Sequence, residues 1–187
     1  RVVPLPTDVA CYMPGTPPRR HLDVAYTSSP DRGLHHLLSW WPEVRRLVPQ
    51  VELRVYYRCV EWCDEVLAGP RESASYARAY LVKRAFEQLG TRGENGVHLV
   101  GPISPHQLGV DLGRTALVAY PCDPIVFTEG FSCALMDACA AGCRVITSTA
   151  DALPEVYEGA VDFVPGKPGE GAAQWISAIT GVLLDTA

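Results

Sequence analysis

Two spacings of apolar residues alternate along this chain, and they predict helices that alternate with short strands. Apolar positions at intervals of three and four predict amphipathic helices over 34–47 and 76–89, the second closed by Gly90. The stretch from 58 to 73 fits neither spacing clearly. Further helices are predicted over 106–113, 130–141 and 171–184, and strands over 22–27, 51–57, 97–100, 116–120, 145–147 and 162–164.

The predicted strands are apolar on both faces, which is typical of a parallel sheet covered by helices on each side. We therefore predict an α/β domain with a Rossmann-like, doubly wound parallel sheet. Ligands of such sheets bind beyond the carboxyl ends of the strands. The loops to inspect are therefore 27–33, 101–107, 121–132 and 148–155.

The first twenty residues have a different composition from the rest. They contain five prolines and no regular apolar spacing, so we interpret 1–20 as an interdomain linker and 21–187 as the folded domain. The chain does not begin with Met, which is consistent with a piece of a longer protein.

Charge and composition exclude several partners. A net charge of −5 over 187 residues argues against a nucleic-acid or membrane-surface footprint. No apolar run approaches the ~20 residues of a membrane span, and no signal peptide is visible. The 7 cysteines are odd in number and form no C-x-x-C pair. We therefore expect a reduced, cytoplasmic domain without a metal cluster.

Two residue pairs resemble metal ligands but have unsuitable spacing. His35 and His36 are neighbours on a predicted helix, where adjacent side chains point about 100° apart. Cys59 and Cys63 lack two further ligands at zinc spacing. We expect neither pair to bind a metal. The chain also lacks G-x-G-x-x-G after the first strand and a P-loop, which argues against dinucleotide oxidoreductases and P-loop enzymes.

The segment 130–142 is almost entirely small or apolar, and Asp137 is its single charge. Such a helix is predicted to be buried all round. A carboxylate inside it needs a hydrogen-bonding partner. Glu129 precedes this helix, and the amides of its predicted first residues, Gly130, Phe131 and Ser132, would favour an anion. The segment thus suggests a cradle for a phosphorylated ligand rich in hydroxyl groups.

The polar residues of the loop after the first strand have two possible interpretations. Ser28 supplies a hydroxyl and Arg32 a guanidinium, which suits a diphosphate. Alternatively, Ser29 or Asp31 caps the next helix and Arg32 is a solvated surface charge. In the loop after the third strand, Ile103 could cover a flat ring.

Beyond these chemical features, three stretches, 129–142, 26–34 and 3–15, resemble segments of a known family, the retaining GT-B glycosyltransferases of family 4. The segment from Glu129 to Gly142 resembles their E-G-F-G…E-A-x-A-x-G signature. The segment 26–34 resembles the opening of their carboxy-terminal domain, and 3–15 resembles the linker that enters it. The resemblance covers nearly the whole chain in the right order.

The resemblance implies a carboxy-terminal domain that binds a nucleotide-sugar donor. In such a domain Glu129 would contact the donor sugar, Arg32 the departing phosphate, and Asp137 the ribose. The amides of 130–132 would hold the diphosphate, and Ile103 would lie near the base. Ser28 and Thr128 are counted with the donor-binding residues.

The implied activity is transfer of a sugar from a nucleoside-diphosphate sugar, without a metal and with retention of configuration. The resemblance also implies an amino-terminal acceptor domain, which we expect to be missing from this chain. Two departures, Asp137 in place of Glu and no second basic residue near Ser28, favour an alternative. It is a non-catalytic nucleotide- or sugar-binding module. A phosphorylase-like or epimerase-like protein with a lysine-bound cofactor is less well supported, since we expect Lys83 and Lys167 to lie outside the cleft.

Overall fold

A computed structural model of the chain describes residues 20–125 and 129–185. The predicted linker therefore lies almost entirely outside the described residues, and its boundary stays a prediction. No helix in the described part of the chain is both long and apolar enough to cross a membrane.

The six described strands form one parallel sheet, and the order β3-β2-β1-β4-β5-β6 makes it doubly wound. The predicted fold class, α/β with a Rossmann-like sheet, is confirmed. The strands are β1 (Arg20–Tyr26), β2 (Glu52–Val55), β3 (Val97–Leu99), β4 (Thr115–Tyr120), β5 (Arg144–Ser148) and β6 (Asp162–Val164).

Helices flank this sheet and connect its strands. Two of them, α1 and α3, have the predicted bounds, and the ambiguous stretch contains a further helix, α2. The helices are α1 (Leu34–Leu47), α2 (Cys59–Leu67), α3 (Tyr76–Leu89), α4 (Pro105–Leu112), α5 (Cys133–Ala140), α6 (Leu153–Val156) and α7 (Ala172–Asp185).

The core lies on both faces of the two central strands. Every residue of β4 is buried, and Val24 to Tyr26 of β1 are fully buried. Trp41 of α1 and Trp175 of α7 are likewise fully buried. Burial on both faces is what the continuous apolar strands predict.

The sheet has its topological switch point between β1 and β4. These strands are direct neighbours, with Val24 paired to Leu117 and Ala25 to Val118. The chain leaves β1 toward β2 on one side and leaves β4 toward β5 on the other. Ligands of open α/β sheets bind in the crevice that this divergence creates. The loops that follow β1 and β4 therefore define the place to examine.

Candidate functional site

The loops after β1 and β4 pack closely against each other. After β1, residues 30–32 form a 3-10 turn that ends at Gly33, with φ 108°. A side chain at Gly33 would overlap the carbonyl group of Pro121, in the loop after β4. Glycine is thus required here both by the left-handed backbone and by the neighbouring loop.

Arg32 and Glu129 meet across the crevice. Arg32 Nη1 lies 3.3 Å from Glu129 Oε2, and the two side chains are 18% and 11% exposed. Arg32 is therefore not a solvated surface charge. The capping alternative is also not observed, because α1 begins after Gly33 and neither Ser29 nor Asp31 caps it. The Ser29 hydroxyl instead donates to the carboxylate of Asp31.

Three side chains converge on one carboxylate oxygen of Glu129. The Tyr120 hydroxyl donates to Oε2 at 2.9 Å, the Cys122 thiol lies 3.9 Å from it, and Arg32 is the third contact. Burial, followed by the charges of Cys122 and Glu129, raises the pKa of Tyr120 far above its usual value. Burial is also the main cause that raises the pKa of Cys122 to about 12. Both groups thus keep their protons and can donate to the carboxylate.

Ser28 belongs to the same cluster. Its hydroxyl lies 3.5 Å from the hydroxyl of Tyr120, and its side chain is half-buried. The structure therefore places Ser28, Arg32 and Glu129 together, as the sequence predicted. Thr128, the remaining predicted residue beside Glu129, lies outside the described residues.

The helix after Glu129 starts later than predicted. It begins at Cys133, because Ser132 has an extended backbone, with φ −83° and ψ 108°. Gly130 and Phe131 lie in the loop ahead of it, so their amides are not part of its first turn. The Ser132 side chain makes no capping hydrogen bond, while its carbonyl accepts from Tyr157 Oη at 2.6 Å. The amides at the actual helix start begin with Cys133.

The prediction that this helix is buried all round is wrong. Of its eight residues only Leu135 and Ala138 are buried, and Asp137 is half-buried. A short helix that packs on β4 and β5 buries only the side chains that face the sheet. Asp137 therefore lies on a partly exposed side, a place that a ligand can reach.

The loop after β3 is further from this cluster. Ile103 is partly buried and packs on the core, and Gly101 has φ 80°. The amides of Val100 and Gly101 donate to the carbonyl of Val55, at the end of β2. Because β2 lies between β3 and β1, this loop lies to one side of the switch point, where an elongated ligand would extend.

Arg78 connects the loop after β1 to the loop after β4, a role that no sequence pattern predicted. It is 9% exposed and comes from α3. It donates to the carbonyl of Asp31 at 2.5 Å, to the carbonyl of Asp123, and to the Asp123 carboxylate at 2.8 Å. Asp31 follows β1 and Asp123 follows β4, so one buried guanidinium connects both sides of the crevice.

His35 and His36 lie close to Asp123 in the structure, and the expectation that the two histidines bind no metal stays a prediction. Their ring centroids lie 3.9 Å apart, and one possible ligand atom from each of His35, His36 and Asp123 lies within 4.8 Å of the others. His36 Nε2 is 2.9 Å from Asp123 Oδ2. Arg78 donates to the same carboxylate oxygen, and its positive charge would oppose a metal ion. We interpret His36, Asp123 and Arg78 as a hydrogen-bonded network, which His35 contacts through the ring of His36.

The loop after β5 supports Glu129 and borders a cavity of about 390 Å³. Asp151 accepts a hydrogen bond from the Glu129 amide at 2.8 Å. The cavity lining includes Cys122, Asp151 and Lys167. The expectation that Lys167 lies outside the cleft is therefore wrong, whereas Lys83 is exposed on α3 and is paired with Asp64.

Solved structures share this fold. Sucrose-phosphate synthase from Thermosynechococcus elongatus has a TM-score of 0.69 and 19% identity, over 100% of this chain and 44% of that one. The pneumococcal O-GlcNAc transferase GtfA, in complex with UDP and GlcNAc, has a TM-score of 0.59 and 13% identity, over 89% and 29%. Anabaena HepE, in complex with UDP-glucose, has a TM-score of 0.54 and 17% identity, over 89% and 44%.

These proteins are GT-B glycosyltransferases, and the chain has the Rossmann-like fold found in them. It spans less than half of their length. At such low identity the likeness concerns the fold alone. No model of a protein family matches the chain, and no curated protein matches it by sequence.

Proposed function

We propose that this chain is the carboxy-terminal, donor-binding domain of a retaining GT-B glycosyltransferase of family 4. It would bind a nucleoside-diphosphate sugar and take part in transfer of the sugar to an acceptor. The observation that carries the proposal is the Arg32–Glu129 pair, held at the switch point of the sheet, where ligands of this fold class bind. Further support comes from HepE and GtfA, whose structures contain UDP-glucose and UDP.

In this proposal Glu129 recognises the donor sugar. Its Oε2 atom takes the contacts from Tyr120, Cys122 and Arg32, whereas Oε1 takes part in none of these three. Oε1 can therefore accept hydrogen bonds from sugar hydroxyls while Oε2 keeps the side chain in place. A carboxylate is suited to this, because it offers acceptors on two oxygens.

Arg32 would stabilise the negative charge that grows on the diphosphate as the glycosidic bond breaks. A guanidinium binds phosphate oxygens through paired donors and remains charged at all relevant pH values. Amides at the start of α5 would add a favourable dipole. With these fixed positive groups the proposed chemistry requires no metal ion.

The remaining residues would bind the nucleoside. Asp137, half-buried on α5, would accept from the ribose hydroxyls, and Ile103 would cover the base. The loop that contains Gly130, Phe131 and Ser132 would lie against the diphosphate. Ser28 and Thr128 would complete the donor site.

The domain arrangement is part of the same proposal. Residues 1–20 would link this domain to an amino-terminal acceptor domain, and the whole protein would act in the cytoplasm. This agrees with a chain that spans 29% to 44% of the glycosyltransferase chains with which it was compared. The domain alone should bind the donor but transfer the sugar poorly.

A thermal-shift screen against nucleoside diphosphates and nucleotide sugars tests the proposal. A ligand at 100 times its dissociation constant should raise the free energy of unfolding by roughly 2.7 kcal/mol. Stabilisation by a nucleoside diphosphate, but not by its base or by phosphate alone, is the expected result. No stabilisation by any nucleotide would contradict it.

A second candidate is a nucleotide- or sugar-binding module without catalytic activity. Two sequence features favour it: Asp137 in place of a longer Glu, and a hydroxyl at Ser28 where a second base is expected. Both candidates bind the donor, so binding alone does not distinguish them, and the test is whether the bound donor reacts. Slow release of free sugar from a bound nucleotide sugar would favour the enzyme, and indefinite retention of intact donor would favour the module.

A further inference from the structure

Both backbone groups of Glu129 are bound by two consecutive residues of the loop after β5. The amide of Glu129 donates to Asp151 Oδ2 at 2.8 Å, and the amide of Ala152 donates to the Glu129 carbonyl at 3.3 Å. Glu129 itself lies in an irregular segment between β4 and α5. These two hydrogen bonds therefore supply backbone support that no helix or strand provides there.

The backbone of Asp151 is unusual in a way that fits this contact. In the described residues it is the one non-glycine residue with a positive φ, 47°. Residues other than glycine rarely adopt this left-handed backbone conformation, although Asp and Asn tolerate it better than most. The turn lets the Asp151 carboxylate and the following amide both reach Glu129. Such a conformation persists where surrounding contacts hold it, and these often belong to a functional site.

The Asp151 carboxylate also lies within the electrostatic reach of the cluster around Glu129. Its negative charge is among the causes that raise the pKa of Cys122, which contacts the Glu129 carboxylate. Asp151 also lines the cavity that Cys122 and Lys167 border. The residue thus faces the candidate site and is exposed.

We infer that Asp151 is a positioning residue for the donor sugar, acting through Glu129. This inference rests on the proposed function of Glu129 as the sugar-binding acid. Tyr120 and Arg32 hold the end of the Glu129 side chain, while Asp151 holds its backbone. Without Asp151 the backbone amide loses its acceptor, and the carboxylate moves relative to the sugar. A binding group needs such support to keep a productive geometry.

The test compares three variants of the 187-residue chain. Asp151→Gly removes the acceptor but accepts the positive φ, so the loop keeps its backbone conformation. Asp151→Asn tolerates the same φ and keeps one acceptor oxygen without the charge. Glu158→Gln is the control, since it removes one negative charge at an exposed position after α6. Calorimetry gives the affinities for UDP and UDP-glucose, and NMR hydrogen exchange follows the Glu129 amide.

We expect Asp151→Gly to weaken UDP-glucose binding about tenfold, the size expected for loss of one hydrogen bond to a charged group, and to change UDP binding less than about twofold. The Glu129 amide should exchange faster in this variant. Asp151→Asn should lie closer to the wild type, and Glu158→Gln should match it. An unchanged ratio of UDP-glucose to UDP affinity in Asp151→Gly would overturn the inference.

The two proposals fail in different ways. If the wild type binds neither UDP nor UDP-glucose, the donor function fails for these ligands, and the role in sugar binding fails with it. The exchange of the Glu129 amide still decides whether Asp151 holds this backbone. Unchanged exchange in Asp151→Gly would then overturn the positioning role as well.

Discussion

Arg32 Nη1 lies 3.3 Å from Glu129 Oε2, although the two residues follow different strands of the sheet, β1 and β4. Their side chains are only 18% and 11% exposed, so this is not a typical surface ion pair. In the proposed function a diphosphate would share Arg32 with Glu129. The residue that would recognise the sugar and the one that would bind the leaving group are thus electrostatically coupled.

This coupling gives a prediction for Glu129→Ala. The variant should lose affinity for UDP-glucose, because the sugar hydroxyls lose their acceptor. Its affinity for UDP should stay the same or increase, because Glu129 no longer neutralises Arg32. Calorimetry with both ligands measures the difference. Equal losses for UDP and UDP-glucose would remove the assignment of Glu129 to the sugar.

Arg32→Ala, in contrast to Glu129→Ala, should weaken the binding of both ligands. We expect UDP and UDP-glucose affinity both to fall by roughly 1.5–3 kcal/mol, the range for a hydrogen bond to a charged group. Arg46→Ala is a matched control, since Arg46 forms an exposed ion pair with Glu43. A loss for Arg32→Ala below about 0.5 kcal/mol, as for an ordinary surface residue, would contradict a diphosphate contact.

The sequence predicts an element well when the interactions that form it are between residues close together along the chain. The helices α1 and α3 appear with the predicted bounds, because their apolar spacing and the closing Gly90 are local signals. The start of α5 was predicted too early, because apolar composition continues back through Gly130 while the backbone of Ser132 is extended. The apolar composition of this segment therefore determines neither where α5 begins nor how much of it is buried.

Asp137→Asn tests the ribose assignment. An amide has one acceptor oxygen where a carboxylate has two, so ligands with a ribose should bind more weakly. Because Asp137 is half-buried, the substitution can also change the free energy of unfolding of the empty protein, which its melting temperature without ligand measures. Melting temperatures with and without UDP separate the two effects. A ligand-induced shift equal to that of the wild type would contradict the assignment.

Because the pKa of His35 is lowered in the folded protein, we expect the free energy of unfolding to depend on pH. Burial, followed by the nearby charges of His36 and Arg78, lowers this pKa to about 3, and Asp123 opposes this. As the pH falls, His35 takes up a proton near pH 6.5 in the unfolded state, and only at a much lower pH in the folded state. The contribution of His35 to the free energy of unfolding is therefore present above pH 6.5 and is lost as the pH falls toward 3.

Urea unfolding between pH 7.5 and 5.5, a range above the titration of most carboxylates, measures this effect. The free energy of unfolding of the wild type should fall with pH more steeply than that of His35→Gln. His106→Gln is the control, because His106 is exposed. If His35→Gln has the same slope as the wild type, His35 is not the group responsible.

The candidate site was predictable only in part. Ser28, Arg32 and Glu129 could be named because they lie in loops after apolar strands, where ligands of parallel sheets bind. Arg78 could not, since its partners Asp31 and Asp123 are 47 and 45 positions away along the chain. Contacts of that range follow from the packing of α3 against α1, α2 and the 3-10 turn after β1, which no local sequence pattern contains.

The central claim is that a nucleoside diphosphate binds at the switch point between β1 and β4. Hydrogen-exchange mass spectrometry with and without UDP tests it most directly, because the method locates the ligand as well as detecting it. The account predicts slower exchange in residues 27–33 and 129–141, with little change in α2 and α6. Protection confined to the cavity between α1 and α3, which His35 and Tyr80 line, or no protection anywhere, would contradict it.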